Sequence, residues 1–191
     1  MTVTMTSRRI AIAALVVGFA SFPGFAQTNV AGVPNFHQVN DHVYRGAQPT
    51  GQGFQSLAKL GVKTVIDLRE AGDRSVSERK VVEATGMRYV TIPFQGMSAP
   101  SPTDVAKVLA LFDDASAGPV FVHCRRGADR TGTVVACYRI AHDGWDNQKA
   151  LHEAKGFGMS WTEVAMQHYV MRYQPQVNTA AGTATAAGSS N

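Results

Sequence analysis

The stretch VFVHCRRGADRTG, residues 120–132, runs from an apolar segment through a cysteine into a cluster of cationic groups. Val120, Phe121 and Val122 are strand formers suited to a buried sheet position. Cys124 stands beside His123, Arg125 and Arg126, and Arg130 follows after five residues. A cysteine among cations is a candidate thiolate and nucleophile. From Thr131 onward the pattern is helical. A strand that passes through a short loop into a helix can turn the N–H groups of residues 125–130 inward around a tetrahedral anion. The positive end of the helix faces the same point.

Each residue of the loop has an expected part in that chemistry. Cys124 lies at the base of the cradle as nucleophile. Arg130 closes the ring with a planar fork that can hold two phosphate oxygens. Gly127 permits a backbone angle that other residues resist. Gly127 and Ala128 present their amides to the anion. His123 fixes the loop and supports the sulfur as an anion. The Thr131 hydroxyl donates to the sulfur when it departs from phosphorus. Arg125 and Arg126 turn their side chains out and make the rim positive, which favours substrates with several phosphates or acidic flanks.

Outside this stretch, strand and helix signals alternate. Short extended pieces are expected at 42–45, 63–68, 88–94 and 120–123, and helices at 54–60, 77–85, 102–115, 131–142, 147–155 and 162–173, with Thr103 capping the third. Strands separated by helices imply an α/β fold with a mostly parallel central sheet flanked by helices. Sites in such sheets lie at the carboxyl ends of the strands. Cys124 ends one strand, and Arg69 follows another as a candidate substrate contact.

The chain has 191 residues, a length and composition that fit one domain. Its first 26 residues read as a signal peptide: Arg8 and Arg9, a short apolar run at 10–20, and small residues Gly24 and Ala26 around a cleavage point. The apolar run is too short to span a membrane. The protein is therefore expected to be exported, to the periplasm or beyond, with no stable membrane insertion after cleavage. Residues 27–35 read as a lead-in, 36–174 as the domain, and 175–191 as a disordered tail with no large apolar side chain after Val177. Loss of Arg8 and Arg9 with the signal lowers the formal charge from +4. No basic run remains outside the quoted loop, which excludes a nucleic-acid surface. The two cysteines, Cys124 and Cys137, are expected to stay unpaired, because Cys137 sits two helical turns beyond the loop.

HCRRGADRTG resembles the signature loop of the cysteine-dependent protein phosphatases. With YRGAQP at 44–49 and TVIDLR at 64–69, it resembles their dual-specificity-like group, above all bacterial members and atypical plant and fungal ones. The resemblance implies a phosphomonoester hydrolase of the protein tyrosine or dual-specificity type. It would work through a cysteinyl-phosphate on Cys124, on a phosphorylated protein or a small polyphosphorylated molecule, without metal or cofactor. An inositol polyphosphate phosphatase of the same mechanism is the near alternative. A rhodanese-type sulfurtransferase and a non-catalytic phospho-ligand module are the distant ones.

One departure stands out. The family supplies a general acid, an aspartate, from the loop before the third helix. Here that loop, QGMSAPSP at 95–102, has no carboxylate. Asp104, at the following helix start, and Asp129, inside the signature, are the candidates, with Asp67 expected to be structural.

Overall fold

Every residue of Val120–Cys124 is buried, and this strand takes the centre of the sheet. The computed structural model describes residues 29–175. The strands are β1 (His37–Gln38), β2 (Val43–Ala47), β3 (Thr64–Asp67), β4 (Arg88–Thr91) and β5 (Val120–Cys124). The helices are α1 (Gly51–Leu60), α2 (Asp73–Ala84), α3 (Pro102–Asp113), α4 (Asp129–His142), α5 (Asn147–Gly156) and α6 (Val164–Arg172). The sheet order is β1-β2-β5-β3-β4, parallel throughout except for the β1–β2 edge pair. The expected fold class is therefore the observed one.

The period of two along each strand sorts the core. Val65 and Phe121 face Phe54 and Leu57 of α1, Val82 of α2 and Tyr89. Ile66, Val120 and Val122 face Val105, Val108 and Phe112 of α3 and Val134 of α4. Burial on both faces is why these strands read as continuous apolar runs. Each fully buried aliphatic side chain contributes roughly 1.5–3 kcal/mol relative to exposure.

Helix α4 is buried nearly all round. One side meets the sheet, and Ala136 and Ile140 on the other meet Ala150, Leu151 and Ala154 of α5 and Val170 of α6. A helix packed on every side has a fixed axis, so its N-terminus is held in place beneath the loop that follows β5.

Several boundaries differ from expectation. Helix α2 starts at Asp73, well before residue 77. Helix α3 is entered through Ser101 with Pro102 in the first turn, so Thr103 is not its cap. Proline's fixed φ suits that first position. The segment taken as a lead-in belongs to the fold: Val30 and Val33 are buried with Phe36 and Phe54, and the Ala47 and Thr50 N–H groups donate to the Pro34 and Gly32 carbonyls at 2.8 and 2.9 Å. The signal at 1–26 and the tail from 176 lie outside the described residues. Among the described residues, no helix is long and apolar enough to cross a membrane. Both cysteines are free, and Cys137 is a core residue whose thiol burial pushes far up.

Candidate active site

The loop from Cys124 to α4 is shaped by where its carbonyls go. The Arg125 carbonyl accepts from the Gln48 N–H at 3.3 Å. The Arg126 carbonyl accepts from Asn35 Nδ2 at 3.1 Å. The Gly127 carbonyl accepts from Arg45 Nη2 at 2.8 Å and from Asn35 Nδ2 at 3.2 Å. All three are tied down to the scaffold, which leaves the N–H groups on the other side of the loop. Among the described residues, none of the N–H groups of Arg125, Arg126, Gly127 and Ala128 has a protein partner. The Thr131 hydroxyl is likewise buried without a partner. Buried polar groups are nearly always paired, so this convergence of free donors marks an anion site.

Gly127 is required twice over. Its φ is +68°, and a Cβ there would stand 2.3 Å from the Gly46 carbonyl carbon. The loop thus presses directly on β2, and only glycine fits.

Cys124 lies below the cradle, almost wholly buried, at the carboxyl end of β5. Arg130 is half-buried, and its Nη1 reaches the Leu68 carbonyl beyond β3 at 3.5 Å. It forms no ion pair among the described residues, so its fork remains available. Arg125 and Arg126 are exposed at the rim. Arg126 Nη2 bonds Asp129 Oδ2 at 2.5 Å, and Asp129 Oδ1 accepts from the Ser160 N–H at 2.9 Å. Asp129 therefore clasps the loop to the α5–α6 connection. Asp104, at the start of α3, holds Lys107 Nζ at 2.8 Å.

A second cation lies beneath the loop. Arg45 is 1% exposed, stacks on the Phe157 ring at 4.5 Å, and has no partner for Nε or Nη1. Burial lowers its pKa to about 10, against the attraction of Glu153 and Cys124. Sequence reasoning missed it, although a charged residue between Val43 and Ala47 of a strand is itself a signal of buried charge. Asn35 was missed for want of any pattern: nothing in the sequence marks its contacts with the loop carbonyls.

Behind Cys124 lies a buried ionic network. His123 Nδ1 faces the Cys124 carbonyl at 3.3 Å, and Nε2 faces Glu78 Oε1 at 3.0 Å. Arg69 forks onto Asp67 at 2.8 and 2.7 Å and reaches Glu78 Oε2 at 2.9 Å. The Tyr89 hydroxyl donates to Asp67 Oδ2 at 2.6 Å. Burial pushes the Asp67 carboxyl up, but Arg69, His123 and Tyr89 outweigh it and hold it down at about 2. Arg69 is thus differently employed from the expected substrate contact: it is buried, with its fork filled by carboxylates. The fold also draws potential ligand atoms of Asp67, Glu78 and His123 within 4.8 Å, a grouping their sequence separation hides. Arg69 supplies the positive charge among them. A separate groove of about 850 Å³ between α3, α4 and α6, lined by Leu109, Ala141 and Tyr169, shares no residue with the cradle.

Residues 17–172 match the family described as DSP-PTPase phosphatase fused to NAD+ kinase. The chain is 34% identical over 142 residues to the dual specificity protein phosphatase TpbA of Pseudomonas aeruginosa, covering 71% of this chain and 61% of that protein. It is 29% identical over 134 residues to the inositol diphosphatase DSP3 of Arabidopsis thaliana, covering 68% and 65%. The crystal structure of TpbA superposes with a TM-score of 0.66 at 31% identity over 80% of this chain and 92% of that one. TpbA in complex with phosphotyrosine superposes with a TM-score of 0.61 at 31% identity over 71% and 82%. The chain spans less than two thirds of the length of these curated relatives.

Proposed function

Because the chain belongs to the DSP-PTPase phosphatase family, we propose that it hydrolyses phosphomonoesters through a cysteinyl-phosphate on Cys124. The observation that carries the reading is the loop itself: its carbonyls are bonded outward, while its N–H groups and the Thr131 hydroxyl are unpaired. The Cys124 thiolate attacks phosphorus, the P–S bond forms, and the bond to the leaving oxygen breaks. Water then attacks phosphorus, phosphate departs, and the sulfur recovers its electron pair with the Thr131 hydroxyl donating to it. Through both steps Arg130 and the loop amides hold the equatorial oxygens, a preorganised field for charge in the transition state. The family match sets aside the sulfurtransferase reading.

The substrate is a phosphorylated protein side chain, with phosphotyrosine supported by the complex of TpbA with phosphotyrosine. The exposed Arg125 and Arg126 favour a second reading of the same chemistry, an inositol polyphosphate, as the name of the Arabidopsis relative suggests for that protein. Phosphate release from both classes by wild type and by Cys124→Ser tests the proposal. Turnover of one class, abolished in the variant with phosphate binding retained, supports it. Binding without turnover in wild type would instead support a phospho-ligand module.

Export to the periplasm is part of the proposal. It rests on Arg8, Arg9, the apolar run at 10–20 and Ala26. The intact mass of protein recovered from the periplasm checks it, with an N-terminus at Gln27 expected.

A further inference from the structure

The cradle accounts for attack on phosphorus but not for the proton that an alkoxide or phenolate leaving group requires. The 95–101 loop has no carboxylate. Asp129 has both oxygens committed, to Arg126 and to the Ser160 N–H. Asp104 is paired with Lys107 on the surface of α3. Asp67 and Glu78 are buried against Arg69. Among the described residues, Glu163 is buried at the start of α6, away from the acid loop, and Glu70 is the carboxyl that touches that loop. Glu70 is exposed and follows β3 by way of Leu68, whose carbonyl faces Arg130 Nη1. Its Oε1 accepts from the Gly96 N–H at 2.8 Å, so it is fastened to the very loop that lacks an acid. Its Oε2 has no partner among the described residues.

We propose that Glu70 is the general acid, delivered to the acid loop from the neighbouring β3–α2 connection through its bond to Gly96. The inference rests on the phosphatase reading above. The anchored Oε1 can accept from Gly96 whether the carboxyl is neutral or ionised. The free Oε2 carries the proton. As the bond from phosphorus to the leaving oxygen breaks, that proton passes to the leaving oxygen and Glu70 becomes a carboxylate. In the second step the carboxylate takes a proton from the attacking water, and the acid is restored. A donor placed in this way contributes about 10²–10⁴-fold on poor leaving groups.

The test is Glu70→Gln, which keeps an oxygen acceptor for the Gly96 N–H and removes the titrating proton. Turnover is measured along a series from nitrophenyl through phenyl to alkyl phosphates. The expected result is a loss of about 100-fold or more at the alkyl end, shrinking steadily as the leaving group becomes more acidic. The alkaline limb of the kcat/KM profile disappears with it, and Glu70→Asp, which restores a titratable carboxyl, brings that limb back. An equal loss along the whole series with the limb retained, or no loss, overturns the assignment. Wild-type turnover with an inactive Cys124→Ser holds the phosphatase reading fixed, so either result counts against Glu70 alone.

Discussion

Glu78 Oε1 stands 3.0 Å from His123 Nε2, with the two side chains 3% and 0% exposed. Neither atom completes a hydrogen bond, so the contact is one of close packing. Through it α2 is fastened to the strand that carries Cys124. Glu78 also receives Arg69 at 2.9 Å and Gln48 Nε2 at 3.1 Å. One carboxylate of α2 therefore meets β5 and the segments that follow β2 and β3.

Breaking a buried ion pair from one side strands the other partner. Glu78→Gln leaves Arg69 with Asp67 alone and His123 facing an amide. The expected cost is about 3 kcal/mol of unfolding free energy, the low end for such pairs because Asp67 still holds Arg69. Urea denaturation reads this directly. A midpoint equal to wild type would show that the network does not hold the fold together.

The same network predicts a pH dependence. The Asp67 carboxyl is held at about 2, below its ordinary 3.8. A depressed carboxyl stabilises the fold fully above its unfolded pKa, and that stabilisation is lost as pH falls through the folded one. The window therefore runs from about pH 4 down to about pH 2 and involves about 2 kcal/mol. Unfolding free energies at pH 5 and pH 2.5 should differ by more in wild type than in Asp67→Asn. Equal differences would place the acid sensitivity elsewhere.

The nucleophile, the loop and the alternation of strands and helices were legible because each is local: residues 120–132 carry their own strand, turn glycine and helix start. What surrounds the loop was not, because it is assembled across the chain. Asn35 meets residues 126 and 127, Glu78 meets His123, and Glu70 meets Gly96, each pair joined only by the sheet order. Arg69 was assigned to substrate for the same reason: its place at a strand end was visible, but not the two carboxylates that fill its fork. Residues 27–35 read as a lead-in because the partners of residues 32–35 lie far along the chain, at Ala47, Thr50, Arg126, Gly127 and Phe157.

Arg45 sets function against stability. The fall from 12.5 to about 10 corresponds to about 3 kcal/mol against keeping the charge buried. Arg45→Met removes that cost and keeps most of the volume over Phe157, but it leaves the Gly127 carbonyl without its 2.8 Å donor. A charged hydrogen bond contributes about 1.5–3 kcal/mol. The variant should melt no lower than wild type and lose about 10-fold in kcat/KM, since 1.36 kcal/mol is tenfold in rate. Loss of melting temperature without loss of kcat/KM would make Arg45 a structural residue only.

Asn35 serves the loop from the opposite side and tests whether the outward carbonyls set the inward amides. Its Nδ2 donates to the carbonyls of Arg126, Gly127 and Phe157 at 3.1–3.2 Å, and its φ of +51° is one that asparagine, aspartate and glycine tolerate. Asn35→Gly keeps the backbone and deletes the donor. Asn35→Asp keeps backbone and shape but turns an acceptor toward three acceptors. Deleting the donor removes bonds worth about 0.5–1.5 kcal/mol each, with the Gly127 carbonyl still held by Arg45, and facing these part-exposed carbonyls with a carboxylate costs more. The expected order of stability is wild type, then glycine, then aspartate. Phosphate affinity, read from competitive inhibition, should fall in the same order, because a loop released from below no longer aims its N–H groups. If aspartate binds phosphate as tightly as wild type, the amides are oriented by something other than Asn35.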